Sequence, residues 1–137
     1  MIVGTKRGDV ITGSERHVAF AVNCEGYNDA GLAGNISYNY WPELANTGRI
    51  RMGEMLSKDT GSKVFHALVV HSLEEGWSEA PKHIEECFNE LQIPTDEEVA
   101  SVAMGAGMIG MLSGANPQEN LAAMERSNKS IVIYDFA

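Results

Sequence analysis

The chain has 137 residues, 44% of them apolar and 21% charged, long enough to bury about two-thirds of its unfolded surface in one domain without disulfides or a structural metal. Nineteen acidic against ten basic side chains leave a net charge of -9. That field repels a polyanion and excludes a general nucleic-acid binder, but not a small anion held locally by backbone amides.

No stretch approaches the roughly 18 apolar residues of a membrane span, and the first ten residues, MIVGTKRGDV, hold no basic region followed by an apolar run. A cytoplasmic chain away from the membrane is therefore expected. Cys24 and Cys87 are far apart and form no C-x-x-C motif, so buried reduced thiols are expected.

In chain order, HVAFAVN at 17–23 is a β-branched and aromatic run without helical spacing, which predicts a buried strand ending at Asn23. A glycine-containing segment, CEGYNDAGLAGN, follows and leads into ISYNYWPEL, predicted helical up to Trp41 because Pro42 removes a donor. RIRMGEML and KVFHALVVH flank the turn-rich SKDTGS and predict an antiparallel hairpin with a central, apolar second strand. EAPKHIEECFNELQ at 79–92 places Ile84, Cys87, Phe88 and Leu91 on one helical face, with Pro81 in the first turn and Ser78 as a cap. VASVAM at 99–104 predicts a strand; Asn116, Pro117 and Glu119 open a further helix; SIVIYDF closes the chain as a strand. The order strand, helix, hairpin, helix, strand, helix, strand implies a single α/β domain over 1–137 with a mixed central sheet layered by helices.

The stretch GAGMIG at 105–110 matches G-x-G-x-x-G. In a Rossmann turn the helix starts inside the glycine triplet and a second βαβ unit follows. Here Asn116 and Pro117 announce a helix several residues later, and only two residues follow Asp135, so an NAD(P)-binding Rossmann-like domain is the least favoured reading. The glycines at alternate positions still suit a phosphate cradle; a tightly packed structural loop is the alternative. NDAGLAGN also follows a strand and precedes a helix. Two small-residue loops at strand C-termini are where ligands bind open α/β sheets.

These segments resemble the macrodomain family, an α/β/α fold that binds ADP-ribose. Gly8-Asp9-Val10 is similar to the family's N-terminal G-D-[IL], Ala21-Val22-Asn23 to its asparagine-terminated strand, Asp29-Ala30-Gly31-Leu32-Ala33 to its first phosphate loop, and Gly105-Ala106-Gly107-Met108-Ile109-Gly110 to its second, with IVIYDF in the place of the last strand. The resemblance spans nearly the whole chain and is closest to the compact branch of terminal ADP-ribose protein glycohydrolases and ADP-ribose 1″-phosphate phosphatases.

It implies an ADP-ribose or ADP-ribosylated ligand. Asp9 and Val10 would meet the adenine, residues 29–33 and 105–110 the diphosphate and distal ribose, and Phe136 the adenine face. Asn23 would orient a ribose hydroxyl, or else cap the strand end. His71 would relay a proton with a pKa near neutrality, or else be a structural histidine. No metal and no cofactor is implied, and His17, His66 and His83 are assigned no function. Where the glycohydrolase branch carries a lysine and an aspartate, this sequence presents His71 and Ile109; where other members carry a second asparagine, it presents Gly26. Two readings follow: a hydrolase of ADP-ribose derivatives, or a binding module without turnover.

Overall fold

The computed structural model describes residues 1–135, so the candidate Phe136 lies outside the described residues. Among those described, six strands form one sheet in the order β1-β6-β5-β2-β4-β3: β1 (Ile2–Arg7), β2 (His17–Asn23), β3 (Met55–Asp59), β4 (Val64–His71), β5 (Val99–Ser101) and β6 (Ile131–Asp135). The pairs β1/β6, β6/β5, β5/β2 and β2/β4 are parallel and β3/β4 is antiparallel. A mixed sheet is thus flanked by α1 (Gly31–Asn39) and a 3₁₀ turn (Pro42–Ala45) on one face, and by α2 (Ala80–Glu90) and α4 (Pro117–Arg126) on the other.

The strongest strand signals in the sequence become the centre of the sheet. In β4 the seven residues Val64 to Val70 are all buried, as expected of a parallel strand covered on both faces, where apolar residues run continuously instead of alternating. Period-two geometry then divides the side chains between two cores. Val18, Phe20, Val22, Phe65 and Val69 pack against Ile36 and Leu44. Ala19, Leu68 and Val70 pack against Ile84, Phe88 and Met124. Each such buried side chain contributes about 1.5–3 kcal/mol of apolar transfer, and Phe20, Phe65 and Phe88 are the largest with essentially no exposed surface. Cys24 and Cys87 are both buried free thiols.

Several elements differ from the sequence-based expectation. β1 has no counterpart in it: five of its six residues are exposed, so no apolar alternation announces this edge strand, which forms through parallel pairing with β6. Asp9 consequently follows a strand. α1 begins at Gly31 and ends at Asn39, earlier at both ends than ISYNYW implied. The first hairpin strand occupies Met55–Asp59 instead of Arg49–Leu56; Ser57, Lys58 and Asp59 pair with His66, Phe65 and Val64, leaving a shorter connection over 60–63. β5 stops at Ser101. Ser78 caps nothing, since Glu79 is the N-cap of α2 and makes no side-chain cap bond.

The largest correction concerns the second glycine loop. A five-residue helix, α3 (Met108–Leu112), opens directly after Gly107, so the absence of a helix there, used above against a dinucleotide turn, does not hold. α3 ends at Leu112, and α4 starts separately with the Asn116 side chain accepting the Glu119 N–H at 3.2 Å. A Rossmann turn needs one continuous helix over this span.

Candidate functional site

Because five strands run parallel, their C-terminal ends share one edge of the sheet. Asp9 follows β1, the 102–110 segment follows β5, Asn23 and the 24–33 segment end β2, and His71 ends β4. β5 and β2 are neighbours, so the two glycine loops emerge side by side. In open α/β sheets, ligands occupy the crevice outside such strand ends.

In the first loop, Asn23 holds the backbone in place. Its Oδ1 accepts from the N–H groups of Gly26 (2.9 Å) and Tyr27 (3.1 Å), and its Nδ2 donates to the Tyr27 carbonyl (2.6 Å). Of the two roles expected of Asn23, a ribose partner or a cap for the strand end, these bonds describe the second: the carbonyl oxygen is engaged twice, and the residue, only 6% exposed, positions the loop. Asn28 continues the scaffold by donating to the Leu44 carbonyl at 3.1 Å. Gly26 is the residue that, under the macrodomain resemblance, takes the place of a second asparagine. At φ +88, with the Gly48 carbonyl oxygen where a Cβ would sit, it has no room for a side chain.

The loop then enters α1. Ala30 is its N-cap and makes no side-chain cap bond, which leaves first-turn amides open to an anion. Asp29, Ala30 and Gly31 are exposed, whereas Leu32 and Ala33 pack against the core, so their contribution to a ligand would come from the backbone. The same holds for Val10, which is 4% exposed. Asp9 Oδ1 accepts from the Ile11 N–H at 2.9 Å, an Asx turn that shapes the loop after β1.

In the second loop, Gly105 adopts φ +82, and a Cβ there would lie 2.5 Å from Ala115 Cβ and within 3.4 Å of Asn120 and Trp77. Asn120, buried in α4, donates to the Met104 carbonyl at 2.8 Å and clamps the approach to the loop. Gly107 differs: its φ is -67 and open space surrounds it. It is the N-cap of α3, again without a side-chain cap bond. Ala106 is exposed, and Gly110 is buried against the backbone of Gly105. Met108, Ile109, Met111 and Leu112 form an exposed apolar lip, Ile109 at 59%.

His71 pairs in register with Asn23, and its carbonyl accepts the Cys24 N–H at 2.9 Å. Its ring stacks on Trp77 with centroids 4.0 Å apart and planes 8° from parallel. Burial pushes its pKa down to about 4, against the opposing pull of Glu25. The pKa thus lies below the near-neutral value expected, because partial burial costs the charged ring solvation. Glu25, which sequence reasoning passed over, is also buried. Burial works to raise its pKa but is outweighed by the Leu73 N–H, the Ser72 hydroxyl and the Glu74 N–H, and the carboxyl stays ionised with a pKa of about 2. It fastens the 72–76 loop beside His71. Glu25, Trp77 and Asn120 carried no sequence signal, since each acts on backbone or rings that only the tertiary fold brings near.

Tyr134 belongs to the core: its hydroxyl donates to Glu15 Oε1 at 2.6 Å, and Lys6 holds the other carboxylate oxygen at 2.9 Å. Among the described residues, no group of three or more His, Cys, Asp or Glu side chains is placed to hold a metal, and no helix is long and apolar enough to cross a membrane.

No protein-family model matches the sequence, and no curated protein is similar to it. Solved structures are similar in fold. The macrodomain of Mycobacterium tuberculosis DarG matches with a TM-score of 0.69 at 19% identity, over 100% of this chain and 99% of its own. The macrodomain of Thermus aquaticus DarG matches at 0.65 and 16% identity, over 100% and 98%. A glycine-to-valine mutant of the Oceanobacillus iheyensis macrodomain, solved with ADPR, matches at 0.66 and 14% identity, over 96% and 82%. With its strand order, its two flanking helical layers and these full-length matches, the chain has the macrodomain fold.

Proposed function

We propose that this chain binds ADP-ribose, free or as an ADP-ribosyl group on a larger molecule, in the crevice between the two glycine loops. The observation that carries the reading is the convergence of Asp9, residues 29–33 and residues 105–110 on one sheet edge, in the order that the macrodomain resemblance requires. The open amides at the starts of α1 and α3 would meet the diphosphate, where backbone donors hold an anion despite the acidic surface. That a protein of the same fold has been solved with ADPR supports the choice of ligand.

Binding without a proton relay is the reading that the side chains favour. Ile109 supplies no acid, Glu25 is ionised with its carboxylate committed to three donors, and His71 is uncharged at neutral pH. Hydrolysis of an ADP-ribose derivative, an ADP-ribosyl bond or a 1″-phosphate, is the second reading. It rests on His71 standing at the end of β4 with one ring nitrogen open. Turnover would then depend on electrostatic stabilisation and on strain in the distal ribose.

Calorimetry with ADP-ribose, NAD and AMP tests the first reading: ADP-ribose should bind more tightly than either, and no heat with ADP-ribose would refute it. Preference for NAD would revive the dinucleotide reading. Incubation with ADP-ribose 1″-phosphate and with an ADP-ribosylated peptide tests the second, which fails if neither yields product.

A further inference from the structure

We infer that His71 serves the cleft as a fixed hydrogen-bond donor through Nε2–H, and that Trp77 is the positioning residue that holds it there. The inference rests on the binding reading above for the identity of the acceptor, but its geometry is independent of the ligand.

His71 Nδ1 is completely buried and has no hydrogen-bond partner, while the residue as a whole keeps partial exposure. Nε2 is thus the nitrogen left open at the sheet edge. A neutral imidazole carries one proton and a charged one carries two. A proton on Nδ1 would be a buried N–H with no acceptor, a costlier defect than an unused lone pair. Both the Nδ1–H tautomer and the charged ring are disfavoured by this one contact surface, and the proton is left on Nε2. The lowered pKa agrees with this geometry. Glu25 is the charged group whose field reaches the ring; its carboxylate accepts from Ser72, Leu73 and Glu74 and makes no hydrogen bond with Nδ1.

Trp77 sets the ring's plane. It is 8% exposed, stacks nearly parallel on His71, and also borders Gly105 of the second loop. Tilting the His71 ring out of this plane would break that stack. The ring is therefore registered against the same loop that would hold a phosphate, and Nε2–H is aimed at an oxygen of the ligand. Such a donor adds a hydrogen bond without a titrating charge, so its contribution should not vary with pH.

The test is long-range ¹H–¹⁵N NMR of the whole chain with labelled histidine, together with calorimetry. His71 should show a lone-pair Nδ1 and a protonated Nε2, unchanged between about pH 5.5 and 8, and ADP-ribose should shift the Nε2–H signal. His71→Gln, whose amide reaches the Nε2 position, should hold affinity within about threefold, whereas His71→Asn, which reaches only Nδ1, should lose about tenfold. Trp77→Leu should mix the tautomers and lose about tenfold in affinity; Trp77→Phe, which can still stack, should restore both. An Nδ1-protonated ring, a titration near pH 6.5, or Trp77→Leu with unchanged tautomer and affinity would overturn the inference, the first two even if a variant fails to fold. If wild-type protein binds no ADP-ribose while His71 remains a lone Nε2–H donor, the ligand reading fails and the fixed donor stands.

Discussion

Acidification should load a proton onto a histidine pair at the edge of the sheet opposite the cleft. There His17 Nδ1 lies 2.9 Å from His66 Nε2, Ser57 Oγ lies 2.8 Å from His66 Nδ1, and Glu97 Oε1 lies 3.7 Å from His17 Nε2. With both rings neutral, the close contacts are satisfied if Ser57 donates to His66 and His66 donates to His17, leaving His17 Nε2 to face Glu97. One extra proton need break neither close contact, because the Ser57 hydroxyl can turn from donor to acceptor; what opposes it is the burial of both rings, which penalises the charged form. Burial, and secondarily the neighbouring His17, push the His66 pKa down from 6.5 to about 4.

The folded state therefore binds fewer protons than the unfolded chain between these values. The resulting stability is intact above about pH 6.5 and is lost as the pH falls toward 4. At 1.36 kcal/mol per unit, the loss through His66 is about 1 kcal/mol at pH 6, about 2 at pH 5 and about 3 at pH 4. Urea unfolding of the wild type and His66→Gln across this range measures it. His71, also lowered to about 4, adds a similar loss to both proteins, so the difference between the two curves isolates His66. That difference should shrink by the amounts above; parallel curves would refute the reasoning.

Other outcomes follow from the loops and the core. Gly105→Ala imposes a side chain at φ +82 and a contact of 2.5 Å with Ala115; it should cost about 2–4 kcal/mol in chemical denaturation. Gly107→Val meets open space at an ordinary φ and should shift stability by less than about 1 kcal/mol. Under the proposed function the same valine fills the cradle and should abolish ADP-ribose binding in calorimetry; unchanged affinity would make this loop structural. Tyr134→Phe removes a donor from the buried Glu15 carboxylate and should destabilise by about 1–3 kcal/mol in urea. Asn116→Ala removes the α4 cap bond and should lower stability by about 1 kcal/mol, read from thermal unfolding.

The sequence by itself determined the elements whose signal is local. Residues 17–23 form a strand with those bounds because a buried parallel strand is a continuous apolar run bounded by polar residues. Asn116-Pro117 places the start of α4 because capping is settled within four residues. The macrodomain resemblance in the loops anticipated the fold and the sheet edge on which the candidate residues meet. The tertiary structure decided whatever depends on partners distant in sequence. β1 is exposed on five residues and exists through β6. α3 lies within a stretch that reads as loop, since five residues are too few for helical periodicity to register. The hydrogen bonds of Asn23 and the surroundings of His71 also belong to this second class. A side chain's hydrogen bonds and pKa follow from what surrounds it, and the Gly26–Tyr27 backbone, Trp77 and the buried face of β4 are assembled only in the folded chain.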